Sequence, residues 1–363
     1  MIRLTRTIEH ELTVKESFVV KIVNKNFELL EENEAISKNN GKFIEVITKY
    51  GKFKFENIDE PLSIDEVLII FTEVNKCQRF FRPSATINTI LLTEECDQLC
   101  IMCSQPPKNK RYDHFDLFYE AAMLIPFNST LGISGGEPTL LKKNLFKFLN
   151  RVITVRNDIR FHILSNCQHI EVEDIKILAK LSKNILWGIP VYSHIPQTHD
   201  TIVGKKGSFV RVMESFNYFI QTGSRVELRT VLLQQNYEDL PKLSEFITTH
   251  LNWIEFWAIM QLENFGYAKM NWDRIFFDNS KNFENLGYAI NKISAKRMNV
   301  SLYNFPLCTI PDFYRKYAVR SISDWKQKYL DECTGCVEKD YCGGFFEWYN
   351  KEKGYNKIGL RKS

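Results

Sequence analysis

Ile87-Asn88-Thr89-Ile90-Leu91-Leu92-Thr93-Glu94-Glu95-Cys96-Asp97-Gln98-Leu99-Cys100-Ile101-Met102-Cys103 is the stretch that decides the architecture. Ile87 to Leu92 reads as a strand, and three thiols follow it on the connecting loop. Three thiolates in a C-x3-C-x2-C spacing can wrap one face of an iron–sulfur cube, whose full protein complement is four cysteines. The nearest His downstream is His114, so the local set stops at three. One iron is thereby left open to a small molecule, as in a catalytic centre. Structural zinc calls for four ligands in pairs, which this spacing does not supply.

Strands alternating with amphipathic helices follow this loop, which implies parallel βα units. Leu131 to Ser134 is the second strand, and Ile133-Ser134-Gly135-Gly136-Glu137-Pro138 turns from it into a helix carrying Leu141, Leu145, Phe148, Leu149 and Val152. Two glycines let the backbone approach a ligand closely, and a helix start offers free N–H groups. An ordinary tight turn has the same composition; the cysteine loop before it gives the motif its weight. Further strands fit Phe161 to Leu164, Ile185 to Val191, Val226 to Leu232, Ile254 to Ile259 and Val300 to Tyr303. Helices are expected near 115–124, 208–221, 238–249 and 281–297. Six or more such units make a full or partial barrel or a doubly wound sheet, with chemistry at the C-terminal ends of the strands.

The rest of the chain adds a frame. Residues 1–83 alternate like short strands, including Phe18 to Val23, Phe53 to Phe55 and Val67 to Phe71, with the polar stretch Glu31 to Gly41 read as a loop or helix end. This is a β-rich N-terminal domain or extension. Of the 363 residues, 48 are Lys or Arg and 44 Asp or Glu, for a formal charge of +4. Residues 351–363 hold five bases and one acid, the whole of that excess, and read as a flexible basic tail. The body is near neutral, so a nucleic-acid surface is not indicated. No run approaches a membrane span and the N-terminus lacks a signal-peptide core. The expected address is the cytoplasm, where nine cysteines are metal ligands or free thiols.

A second constellation stands at Cys333-Thr-Gly-Cys336-Val-Glu-Lys-Asp-Tyr-Cys342-Gly-Gly, with Cys308 upstream. Four cysteines can saturate a [4Fe–4S] cluster or a zinc ion, and spacing alone leaves both open. Cys77 and Cys167 are unassigned, Cys167 reading best as a buried unreactive thiol. His194 and His199 follow the fourth strand and read either as substrate contacts or, more blandly, as exposed loop histidines. Glu255 and Glu263 are further possible contacts. Trp253 to Trp257 reads as core packing rather than a platform for bases.

Together the two motifs resemble the radical S-adenosylmethionine (SAM) enzymes. The resemblance implies a partial (β/α)6 radical SAM barrel over 84–303, with Cys96, Cys100 and Cys103 holding a [4Fe–4S] cluster. It implies that SAM chelates the open iron and that Gly135, Gly136 and Glu137 bind its amino group. Ser165, Asn166, Tyr192 and Ser193, at later strand ends, would suit the ribose hydroxyls. Arg229 would pair with the SAM carboxylate, or else form a barrel-wall salt bridge. Met102 stands where this family often has an aromatic residue, and the fifth strand lacks the glycine-rich adenine-packing motif of some members.

The C-x2-C-x5-C spacing is similar to the auxiliary-cluster module, SPASM or the shorter twitch form, of related enzymes. This implies a second cluster on Cys308, Cys333, Cys336 and Cys342 over 304–350, with zinc as the alternative. More narrowly, Leu92 to Pro107 with its Ser104-Gln105-Pro106-Pro107 extension, and Tyr317-Ala318-Val319 through Ser323-Asp324-Trp325 to Phe346, resemble HxsC-type maturases of His-Xaa-Ser peptide systems. That resemblance implies a ribosomally made precursor peptide as substrate, a companion radical SAM protein, a small accessory protein and an external electron donor. Two other readings stand beside it. One is a radical SAM enzyme acting on a nucleotide or other small molecule; the other is a zinc-binding, cysteine-rich protein that cleaves no SAM.

Overall fold

The computed structural model describes residues 4–57 and 60–358. Eight strands carry the main sheet: β9 (Asn88–Leu91), β10 (Thr130–Ser134), β11 (Arg160–Leu164), β12 (Ile185–Pro190), β13 (Arg225–Val231), β14 (Phe256–Met260), β15 (Asn299–Tyr303) and β16 (Ala318–Val319). They lie in sequence order, every pair parallel, and the sheet is open at β9 and β16. The fold class is the expected one. The six-strand core is extended by β15 and by β16, which carries residues 318–319 from the C-terminal stretch back onto the sheet edge.

Alternation along the strands assigns the two faces. Ile90, Leu131, Ile133, Phe161, Ile163, Trp187, Val226, Leu228, Trp257, Ile259, Val300 and Leu302 belong to one apolar core. The same core takes residues from α1 (Phe115–Leu124), α2 (Lys142–Val155), α3 (Ile175–Leu181), α5 (Ser208–Thr222), α6 (Leu240–His250) and α8 (Glu284–Ala295). The alternate residues face the other side, away from these helices. The connections after β12 and β14 also hold α4 (Pro196–Val203) and α7 (Gly266–Ile275), which the sequence reading does not assign.

The N-terminal region forms a second sheet of β1 (Thr5–Thr7), β2 (Glu9–Leu12), β3 (Phe18–Ile22), β4 (Glu34–Asn39), β5 (Phe43–Thr48), β6 (Gly51–Glu56), β7 (Val67–Phe71) and β8 (Lys76–Phe81). Its order runs from β1 through β8, β7, β3, β4, β5 and β6 to β2. The edge strands β1 and β2 are separated in the chain by Ile8 alone, so the sheet must curl until its edges meet. Val20, Ile22, Leu68 and Ile70 fill its interior, while Val19, Val67 and Ile69 belong to the main core. Burial on both faces explains the unbroken apolar run Val67 to Ile70. The polar stretch expected as a loop contains β4: Ala35 is buried within the sheet and β4 pairs with β5 in register.

The C-terminal stretch adds the two-residue pair β17 (Gln327–Lys328) and β18 (Phe345–Phe346) and is otherwise held by short turns. The expected flexible tail is corrected for residues 351–358, which are packed down; 359–363 lie outside the described residues. Tyr355 is buried, the Trp272 indole N–H donates to Lys353 O at 2.7 Å, and the Asn356 and Lys357 N–H groups donate to Asp278 and Ser280. Among the described residues, no helix is long and apolar enough to cross a membrane.

Candidate metal centres

The cysteine loop leaves β9 at its C-terminal end and is clamped from three sides. The turn after β10 packs directly on it: Gly136 N–H donates to Thr93 O at 2.8 Å and Glu137 N–H to Glu95 O at 2.7 Å. A Cβ on Gly135 or Gly136 would drive into those same carbonyls, so both positions need glycine. From α4, the Leu99 and Ile101 N–H groups find Val203 O and Ile202 O. From α7, Tyr267 N–H donates to Cys103 O at 2.8 Å and the Asn271 amide to Ile101 O at 2.8 Å.

Asp97, inside the loop, is the electrostatic clamp. Its carboxylate accepts from the Asn166 amide at 2.8 Å and from His169 Nε2 at 3.1 Å, and it pairs with Lys205. Although desolvation opposes it, these donors hold its carboxyl well below the usual carboxylate range. Sequence reasoning did not bring Asp97, His169 and Lys205 together, since nothing in their spacing links these three residues.

Each expected site residue has a place. Cys96, Cys100 and Cys103 are free thiols on this one loop, partly buried. Burial pushes the Cys96 thiol up to about 12 and raises the other two. Glu137 is buried and engaged: its carboxylate accepts from Ser165 Oγ at 2.6 Å, Asn166 N–H at 2.6 Å, and the Thr139 N–H and hydroxyl at 2.8 and 2.5 Å. Four donors leave little of it for a ligand, so here Glu137 ties the end of β10 to the end of β11. Burial still pushes its carboxyl above the ordinary value.

Ser165 is thereby spent on Glu137 and on the Cys167 N–H. Ser193 is fully buried and caps the Ile195 N–H. Asn166 stays close to the cysteines, its amide 4.0 Å from Cys96 Sγ. Tyr192 is buried in the apolar cluster that takes in Met102, Cys100 and Ile101. Arg229 lies on β13 and pairs with Glu227, Nη1 to Oε1 at 2.6 Å, the barrel-wall alternative.

His199 is not an exposed loop histidine. It is 1 % exposed, accepts the Tyr192 N–H at Nδ1, and burial lowers it to about 4. Cys77 and Cys167 are buried free thiols, and Trp257 is core. Glu263 pairs with Lys326 at 3.1 Å, and Glu255 with Arg225.

The second set of cysteines meets at one place. Cys308, Cys333, Cys336 and Cys342 line one small cavity with Leu307, Tyr329 and Phe345. Cys342 Sγ faces the Leu307 and Gly344 N–H groups at 3.4 and 3.3 Å, donors suited to a thiolate. Burial pushes the Cys308 thiol up to about 12, and the three neighbouring cysteines add to it. Among the described residues no three His, Cys, Asp or Glu side chains are closed on a single ion. The donor chemistry fits nonetheless: three thiols on one loop suit a four-iron cluster with an open iron, and four thiols around one cavity suit a closed site.

Residues 90–247 match the family model described as the radical SAM superfamily. No curated protein matches the chain. Among solved structures, Streptococcus suis SuiB bound to S-adenosylmethionine is 16 % identical with a TM-score of 0.52, over 74 % of this chain and 75 % of that one. SuiB bound to the precursor peptide SuiA is 21 % identical with a TM-score of 0.48, over 59 % of this chain and 48 % of that one. AdoMet-bound anSMEcpe is 15 % identical with a TM-score of 0.47, over 59 % of this chain and 60 % of that one. The match to peptide-bound SuiB thus spans about half the length of that chain.

Proposed function

The chain carries a radical SAM domain over residues 90–247, and from that premise we propose that it modifies a ribosomally made precursor peptide, as a maturase of the His-Xaa-Ser type. The observation that carries the radical SAM half is the interlock of the two motifs. The Gly135-Gly136 turn is hydrogen-bonded onto the three-cysteine loop at the C-terminal ends of adjacent parallel strands. Cys96, Cys100 and Cys103 would hold the cluster, and the turn from Gly135 to Glu137 would present main-chain groups to the amino group of SAM. When bound, these groups supply one-electron cleavage of SAM to methionine and a 5′-deoxyadenosyl radical that abstracts a substrate hydrogen.

This chain's residues do the positioning. Glu137 fixes the ends of β10 and β11 relative to each other, Asp97 fixes the loop, and Tyr192 with Met102 excludes water on the apolar side. Cys308, Cys333, Cys336 and Cys342 would hold a second, closed cluster. The peptide half rests on the resemblance of residues 92–107 and 317–346 to His-Xaa-Ser maturases. SuiB, solved with the precursor peptide SuiA, supplies the same substrate class as a proposal for this chain.

Anaerobic reconstitution tests the reading. Two four-iron clusters predict about eight irons and eight sulfides per chain, and Cys333→Ala with Cys336→Ala is expected to halve both. Reduced protein with SAM should form 5′-deoxyadenosine. Zinc without iron, or iron without 5′-deoxyadenosine, would overturn the enzyme. A mass change on a neighbouring-gene peptide bearing His-Xaa-Ser repeats supports the maturase; an unchanged peptide beside steady 5′-deoxyadenosine formation sinks that half alone.

A further inference from the structure

The loop after β14 and the C-terminal stretch meet in an aromatic cluster that the proposed function does not use. Phe265, on that loop, is 48 % exposed. Its ring centroid lies 4.8 Å from that of Trp348. Trp348 in turn lies 6.5 Å from Trp325 and 6.2 Å from Phe346, parallel to Phe346 within 7°. Trp325 and Trp348 are partly exposed and Phe346 is buried.

One charged pair sits against these rings. Lys326 Nζ stands 5.4 Å from the Trp325 centroid and 5.1 Å from that of Phe346. It lies 3.1 and 3.4 Å from the two carboxylate oxygens of Glu263. Ring faces carry negative charge density, so rings and a carboxylate together make a place for a cation. Lys326 is the cation that the chain itself supplies. The pair is not sealed: Lys326 and Glu263 keep 21 % and 17 % of their side-chain surface. Burial raises the Glu263 carboxyl although Lys326 opposes it, so the one ammonium does not fully compensate the anion. Two further polar groups of the cluster, Trp348 Nε1 and Asn264 Oδ1, are buried and make no hydrogen bond to a described residue. A donor and an acceptor left so are costly, and they are the two types of group with which a peptide unit pairs.

The cluster also stands beside the first centre. Tyr267, two residues beyond Phe265, donates its N–H to Cys103 O. The Cys103 thiol, raised first by burial, is raised further by the charge of Glu263. A ligand held by Glu263 is therefore held next to the three-cysteine loop.

We propose that Glu263, walled by Phe265, Trp325 and Trp348, is a specificity subsite for a basic side chain of the peptide substrate, which displaces Lys326 from the carboxylate. A planar imidazolium or guanidinium fits it best, because it can stack on a ring while donating N–H to the carboxylate. The inference rests on the proposal that the substrate is a peptide.

The full chain, reconstituted anaerobically, is titrated by calorimetry with a synthetic peptide of His-Gly-Ser repeats and with versions in which every His is Arg, Ala or Glu. The His and Arg peptides are expected to bind roughly tenfold or more tighter than the Ala peptide, and the Glu peptide weakest. Glu263→Gln should remove that preference at unchanged iron content. Trp348→Leu should weaken the His and Arg peptides about threefold to tenfold. Lys326→Met should tighten them, because it removes the competing cation. A merely structural ion pair would lower the melting temperature in both Glu263→Gln and Lys326→Met and leave the order of the peptides unchanged, which overturns the subsite. Equal binding of the four peptides, or binding of none, also overturns it. Should Glu263→Gln fail to fold, Lys326→Met and Trp348→Leu decide. Failure of the maturase reading is seen separately: a His peptide that binds through Glu263 yet keeps its mass sinks that reading and leaves the subsite standing.

Discussion

His199 shows what a single buried side chain contributes. In the folded chain its ring stays neutral down to about pH 4, whereas an unfolded histidine takes up its proton near 6.5. Below 6.5 the unfolded state therefore binds more protons, so stability is full above that pH and is lost as pH falls toward 4. The loss reaches about 3 kcal/mol. Melting temperature followed from pH 7.5 to 4 should show the decline, and His199→Gln should flatten it. Asp97 gives a second residue-scale test. Without its carboxylate the loop loses the Asn166, His169 and Lys205 contacts. Asp97→Ala is expected to shed iron to a chelator about tenfold faster than wild type, the usual range for groups that orient metal ligands. The two cysteine sets stood out in the sequence by their spacing, as candidate ligands. Asp97, His169 and Lys205 did not, since a contact between distant strand ends leaves no local periodicity. Glu137 was legible as a motif residue, but its saturation by Ser165, Asn166 and Thr139 emerges only once β10 and β11 are side by side.

Elements with one buried face and one wet face were readable, and those lacking that contrast were not. Helix α2 presents Leu145, Phe146, Phe148, Leu149 and Val152 to the core, and four of these five were expected on it from their helical spacing. Strand β4 buries only Ala35, so its polar sequence passed for a loop. Helix α7 buries Ala268, Trp272 and Ile275 in a short polar segment, and its role lies in contacts at its start. Gly266 there has φ 58°, and a Cβ would lie 2.6 Å from Cys103 O and 2.7 Å from Ser104 O. Gly266→Ala should therefore cost about 1–3 kcal/mol. It should also lower the iron retained at the first site, read as iron per chain against Cys333→Ala, which spares that site.

At the scale of the molecule, the three regions are joined by charge as well as by core. Arg82, buried at the end of the N-terminal sheet, holds Asp324 of the C-terminal stretch at 2.7 Å and Glu60 at 2.8 Å. One apolar cluster takes in Met102 and Tyr192 beside the first cysteine loop, Trp272 of α7 and Phe276 just after it, and Cys333, Phe345 and Tyr355 beside the second. Removing residues 351–363 strips Tyr355 from that cluster and the Lys353 carbonyl from Trp272. Such a truncation is expected to lower the melting temperature by several degrees and to reduce iron at both sites together, measured with each cysteine set mutated in turn. Helix α7 thus works as a shared footing: one end is fastened to the loop of the first centre and its flank to the wall of the second. If both cysteine sets hold clusters as proposed, the two sites would be filled on one common support, and the order in which iron arrives should then affect how well the other site forms.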